Sequence, residues 1–185
     1  MPGSVQDSRR NMGGTVMKIR VYREQDRDDV HALHAHAFDG LDEAGLVQAL
    51  HDDGAAVLSL VAEEDGAVVG HILFTPLALD PAPADKKQLA ALAPMAVLPD
   101  FQRRGVGEAL ARQGIDILCE QGWDGIVVLG HPAYYPRFGF TPASDFGITF
   151  PGTVPEEAFM ALPLRDGGLD GCRGTVVYHA AFGLM

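Results

Sequence analysis

The chain has 185 residues, 47% of them hydrophobic, which suits one domain with a hydrophobic core and indicates neither a fibre nor a disordered chain. No apolar run approaches the roughly 20 residues that span a bilayer, and two cysteines, Cys119 and Cys172, make neither a disulfide framework nor a metal cluster. With 14 basic against 25 acidic residues, the net charge of -11 disfavours nucleic acid or a membrane surface as partner and favours a cationic substrate.

Residues 1–16 are polar and Gly-containing, with no lasting period and no apolar segment after Arg9-Arg10, so they predict a flexible arm and not a secretory signal. A single domain is expected from residue 17 to 185, in the cytoplasm. Residues 18–22 read as a strand, 28–38 and 43–51 as helices, and 58–63 with 68–74 as a hairpin around Asp65-Gly66. Residues 77–87 are rich in Pro and Ala and interrupt the pattern. Residues 89–97 form the next apolar strand, broken by Pro94, which lacks a ladder donor. Residues 105–121 give the best helix, with Val106, Ala109, Leu110, Ile117 and Leu118 on one stripe and Gly122 as its stop. A strand at 125–129 follows, so strand, helix and strand predict a crossover with parallel pairing. A short helix or ordered loop is expected at 131–138, then strand candidates at 147–150, 159–163 and 174–180. Cys119 reads as a small buried hydrophobe. His31, His34 and His36 do not have zinc spacing and read as surface or substrate-side histidines, so no metal is expected.

The most informative segment is Gln102-Arg103-Arg104-Gly105-Val106-Gly107, between a strand end and a long helix. A helix start presents unpaired N–H groups that favour anions. Gly105 and Gly107 remove side chains that would block close approach, and Arg103 and Arg104 add charge. Charge-assisted bonds of this kind are worth roughly 1.5–3 kcal/mol each. The segment lacks the Lys-Ser/Thr ending of a P-loop and the third glycine of a dinucleotide fingerprint.

Gln102, Gly105 and Gly107 match the Gln/Arg-x-x-Gly-x-Gly/Ala motif of the GCN5-related N-acetyltransferase (GNAT) superfamily. The block Ala93-Pro94-Met95-Ala96-Val97-Leu98-Pro99 and the later block from Leu129 to Phe140 also resemble that family, and its YhbS-like branch in particular. The resemblance covers residues 17 to about 150. It implies an α/β fold with a mixed, mostly antiparallel central sheet, helices on both faces and a splayed parallel strand pair. It implies acetyl-CoA as co-substrate, with its pyrophosphate on the amides from Gln102 through Arg103, Arg104, Gly105 and Val106 to Gly107. Met95, Ala96 and Val97 would line the pantetheine arm, with the Val97 amide on the acetyl carbonyl, where it would also stabilise developing charge.

The reaction so implied is direct attack of an amine on the thioester. Tyr135 lies four residues before Gly139 at the family's tyrosine position and is the candidate general acid; a phenol is protonated at neutral pH. His131 stands where the family often has asparagine and is the candidate base. Glu63, Glu64 and His71, in or beside the hairpin, are candidates for holding a cationic amine. The acceptor would be a small-molecule amine or a protein or peptide amine, and a homodimer fits the pattern of relatives. The competing reading is a non-catalytic acetyl-CoA-binding sensor or interaction module.

Overall fold

The computed structural model describes residues 8–12 and 15–183. These divide into two compact units, one formed by the described residues up to Leu73 together with Pro94–Ile117, the other by Phe74–Ala93 together with the described residues from Leu118 onward.

The first unit opens with β1 (Ser8–Met12) and β2 (Thr15–Val21), an antiparallel pair in register from Ser8↔Ile19 to Met12↔Thr15. The flexible arm expected over 1–16 is thus strand at 8–12 and 15–16; residues 1–7 and 13–14 lie outside the described residues. β2 pairs antiparallel with β3 (Leu58–Glu64), which turns through Asp65-Gly66 into β4 (Ala67–Asp80). Between β2 and β3 the chain makes α1 (Arg27–Ala37) and α2 (Asp42–Asp52). Val30, Leu33 and His34 are buried on α1 and Ala44, Val47 and Leu50 on α2, the spacing of one helical face. After β5 (Leu89–Val97), α3 (Val106–Glu120) buries Val106, Ala109 and Leu110. Gly70 allows α3 to sit close to β4: a Cβ there would lie 2.9 Å from Val106 Cγ1 and 3.0 Å from Leu110 Cδ1.

This unit also buries a charge. Arg20, 7% exposed, meets Asp26 through two parallel bonds, Nη1 to Oδ2 at 2.7 Å and Nη2 to Oδ1 at 2.8 Å, and its Nε donates to Glu63 at 2.9 Å. The Arg23 amide also donates to Asp26 at 2.7 Å. The Arg20 bonds, with help from that amide, hold the Asp26 carboxyl below its ordinary range despite burial.

In the second unit β5 pairs parallel with β6 (Gly125–Leu129), from Leu89↔Gly125 to Ala91↔Val127, three residues before Pro94. β6 continues antiparallel to β9 (Phe159–Pro163), which pairs with β7 (Thr141–Pro142). β10 (Gly174–Val177) pairs antiparallel with the end of β4 and parallel with β8 (Ile148–Thr149). The expected parallel crossover and mixed sheet are therefore present. Leu77, Leu79, Leu89, Ala91, Val127, Ile148, Phe159, Leu169 and Val176 belong to one apolar cluster. Asp124 joins the parallel pair at its base, accepting from the Gln88 amide at 2.7 Å and from Arg165 Nε at 2.7 Å.

Two local expectations are corrected. β4 does not stop at residue 74: Leu77 and Leu79 are buried while Pro76, Ala78 and Asp80 are exposed, and this alternation pairs with β10 as strand. The prolines obscured it. Cys119 is exposed on its helix, with its Sγ directed to the Leu164 carbonyl at 3.2 Å, and is not a core residue.

Candidate active site

The residues singled out above fall into one group in each unit. In the first, the chain leaves β5 through a 3-10 turn, Pro99–Phe101, and reaches α3 by way of Gln102 in extended backbone. Arg103 at φ 58 and Gly105 at φ 82 both take the left-handed conformation. Left-handed residues in such a turn are the kind of backbone that can direct successive amides to one side, as in anion-binding turns. Gly105 suits it because only glycine takes positive φ without steric cost, and a Cβ built there finds nothing within 4 Å, so the space before it is open. Val106, Gly107 and Glu108 form the first turn of α3, and the first intrahelical acceptance in this segment is by Gly105 O from Ala109 N at 3.0 Å. Their amides are thus the unpaired donors that every helix start carries.

Side chains brace this turn. Gln102 Nε2 donates to the Val97 carbonyl at 3.0 Å, tying the turn to the end of β5. Arg104 stacks over Phe101, 5.0 Å from its centroid, and its Nη2 donates to Glu64 Oε1 at 3.0 Å. Arg103 is exposed. On β5, Ala96 is buried and Met95 and Val97 are half-buried. The acidic candidates are occupied: Glu63 pairs with Arg20 and Glu64 with Arg104.

His71 is turned inward. It is wholly buried, with Nδ1 2.8 Å from His34 Nε2 and Nε2 2.9 Å from Ser59 Oγ, so the expected acceptor contact is not one this ring makes. His34 is corrected likewise: it is a core residue, because α1 places it beside Val30 and Leu33 on the packed face. Burial depresses both rings, His34 to about 4 and His71 well below its ordinary value. His51 and Ser59, which complete this chain at 3.3 Å, were not singled out by the sequence. No motif spacing links four residues on α1, α2, β3 and β4.

The second group follows β6. His131 is exposed, and its carbonyl accepts from the Tyr134 amide at 3.0 Å. The expected short helix is a single 3-10 turn, Tyr135–Phe138, ended by Gly139 at φ 96. The Tyr135 ring is 8% exposed, edge-on to Tyr134 and Phe140 with centroids 5.2 Å and 5.6 Å away. Burial, with the neighbouring Tyr134 adding, pushes its hydroxyl up to about 12, so it is protonated at neutral pH. Gly130 makes room for the ring: a Cβ there would fall 2.3 Å from Tyr135 Cε2. Arg137 donates to the Tyr134 carbonyl at 2.9 Å and lies 4.4 Å over the Tyr134 ring, which accounts for its conformation without a ligand. Among the described residues no group of three or more His, Cys, Asp or Glu is placed to hold a metal, and no helix is long and apolar enough to cross a membrane.

Comparison with known proteins agrees with this arrangement. The model of the acetyltransferase (GNAT) family matches residues 20–140. The N-acetyltransferase YhbS of Escherichia coli K12 is 38% identical over 169 residues, 90% of this chain and 98% of its own. The crystal structure of E. coli YhbS in complex with CoA superposes with a TM-score of 0.84 at 36% identity, covering 89% of this chain and 91% of that one. A GNAT acetyltransferase from Brucella melitensis in complex with acetyl-CoA gives a TM-score of 0.75 at 37% identity, covering 90% and 97%. With its glycine-bearing turn at the start of α3 and a match that spans most of its length, the chain belongs to the GNAT family, and its reaction class is acyl-CoA-dependent N-acetyl transfer.

Proposed function

We propose that this chain moves an acetyl group from acetyl-CoA to a primary amine by direct attack, with the diphosphate of the coenzyme on the turn from Gln102 to Gly107. The observation that carries this reading is the turn itself, where left-handed Arg103 and Gly105 precede the unpaired amides of α3 and the space at Gly105 is open. The two relatives solved with CoA and with acetyl-CoA support the same ligand here. Arg103 and Arg104 add charge. An arriving diphosphate competes with Glu64 for Arg104, whose own side chain is exposed while the Glu64 carboxylate is largely buried.

Met95, Ala96 and Val97 line the pantetheine arm. Gln102 orients the peptide after Val97 by holding its carbonyl, while the Val97 amide serves the acetyl oxygen, where a preorganised donor stabilises the charge that develops during attack. Positioning of amine and thioester supplies much of the rate. Tyr135 acts on the leaving sulfur. Its hydroxyl, at about 12, is a weaker acid than an ordinary thiol near 8.5, so complete transfer to a thiolate runs uphill. Tyr135 therefore donates a hydrogen bond that spreads the sulfur charge as the bond breaks. His131, exposed after β6, receives the proton from the amine directly or through water.

The acceptor is a cationic amine, small or peptide-borne, which the net charge of -11 attracts at long range. Free Cys119 and Cys172 suit a reducing cytoplasmic compartment. Self-association into a homodimer belongs to the same reading and is measured by light scattering. The decisive experiment is a screen of amines and peptides with acetyl-CoA, read by release of free thiol and by mass of the acetylated product. Thiol release that depends on an amine is the expected result. Release by no amine, with CoA still bound, would leave a coenzyme-binding module and refute the transferase mechanism.

A further inference from the structure

His34, His71, Ser59 and His51 form a continuous chain through the first unit. His34 Nε2 lies 2.8 Å from His71 Nδ1, His71 Nε2 2.9 Å from Ser59 Oγ, and Ser59 Oγ 3.3 Å from His51 Nε2. Each member comes from a different element: α1, β4, β3 and α2 in that order. The inner end is closed, since His34 is fully buried and its Nδ1 has no partner among the described residues. The outer end is His51, half-buried, its ring stacked on Tyr22 with centroids 4.0 Å apart. A closed inner end excludes a conduit to a ligand. Protons reach this chain from the His51 side, and they have nowhere to go.

We propose that these four residues are a proton-sensitive lock that fastens α1 and α2 onto β3 and β4 when neutral and releases them in mild acid. Three neutral rings and one hydroxyl can pair along the chain by alternating donor and acceptor, with only His34 Nδ1 left over at the inner end. A second proton between His34 Nε2 and His71 Nδ1 breaks the alternation, because both nitrogens then face each other as donors. No carboxylate acts on the two inner rings, His34 and His71, to compensate such a charge. His34 meets His31 on α1 and stacks with Phe38, the residue that ends that helix. His71 is set against His34 and His51. At the outer end, burial lowers His51; Glu24 and Asp52 favour its charged form and Arg27 disfavours it. The buried rings titrate below their ordinary value, as desolvation requires. Each ring kept neutral in the locked state and charged in the open state lowers the closing equilibrium constant about tenfold per pH unit.

The test is hydrogen exchange on the full chain between pH 7.5 and 5, corrected for intrinsic exchange and read peptide by peptide. The lock predicts a loss of protection of tenfold or more in Arg27–Ala37 and Asp42–Asp52, reversed on return to neutral pH, while Val106–Glu120 and Phe159–Pro163 keep theirs. In H34Q/H71Q, whose amides can donate and accept but do not titrate, protection of the two helices loses most of its pH dependence, with His51 the remaining ring of the chain. Should that variant not fold, S59A serves, because breaking the chain at its centre moves the release toward neutral pH without removing a ring. Unchanged protection of α1 and α2 at pH 5, loss of protection only together with α3, or a pH response identical in the variant overturns the proposal.

Discussion

Two buried polar clusters of the first unit solve the problem of burial in opposite ways. Around Arg20 the chain buries charge and pairs it, with Asp26 accepting two parallel bonds and Glu63 a third. Around His71 it buries titratable groups and keeps them uncharged. The first arrangement survives acid until carboxylates protonate; the second gives way as soon as imidazoles do. The molecule thus has two thresholds in acid, set by residue type and by the presence or absence of a counter-charge.

The most damaging way to break this comparison is Arg20→Ala, which strands Asp26 without its partner. Removing one member of a buried pair costs about 3–5 kcal/mol, so urea unfolding at pH 7 is expected to show a loss of that size; a loss under 1 kcal/mol would mean that water already screens the pair.

The next effect is the pH dependence of stability. Imidazoles held below their ordinary 6.5 bind fewer protons folded than unfolded, so stability is intact above 6.5 and falls as acid is added. For His34 the fall runs from 6.5 to about 4, at about 1.4 kcal/mol per pH unit. Asp26, held below 3.8, contributes stability that is present above 3.8 and lost only as pH falls further. Denaturant titrations from pH 8 to 3 should therefore show a plateau, then a slope beginning near 6.5; a flat profile down to 4 would contradict the neutral burial of His34.

Gly105→Glu sharpens the role of the turn. It sets a carboxylate in the open space before the α3 amides and forces a side chain into φ 82, so acetyl-CoA affinity should fall at least 100-fold, about 2.7 kcal/mol, by calorimetry. Retained affinity would place the diphosphate elsewhere. Tyr135→Phe is expected to lower kcat about 10–100-fold with acetyl-CoA binding preserved, by stopped-flow thiol detection; equal kcat would reduce Tyr135 to a packing residue. The smallest change is Arg104→Gln. Its pair with Glu64 is open to water on the arginine side and the glutamine amide can still donate to the carboxylate, so the melting point should fall only slightly while coenzyme affinity weakens several-fold.

Local signals account for part of this structure. The hairpin at Asp65-Gly66, the α3 stripe and the glycine-bearing turn before it lie where the sequence places them, because each rests on neighbours a few residues apart. Gln102, Gly105 and Gly107 identify their segment for the same reason: a helix start and a left-handed glycine act through contiguous backbone. The second half of β4 was hidden by Pro76 and Pro81, and its strand character depends on β10, almost a hundred residues later. His71 illustrates the boundary most clearly. The turn at Asp65-Gly66 marks it as a strand residue of the hairpin, yet its burial against His34 depends on the arrival of α1.

Read without coordinates, the chain announces a helix start built to meet an anion, since spacing, glycine and arginine are all written within six consecutive positions. Which carboxylates are already spoken for, which histidines are sealed from water, and how Arg20 finds Asp26 and Glu63 depended on packing. A residue's protonation and availability are properties of its surroundings, and those surroundings are assembled from strands and helices far apart along the chain.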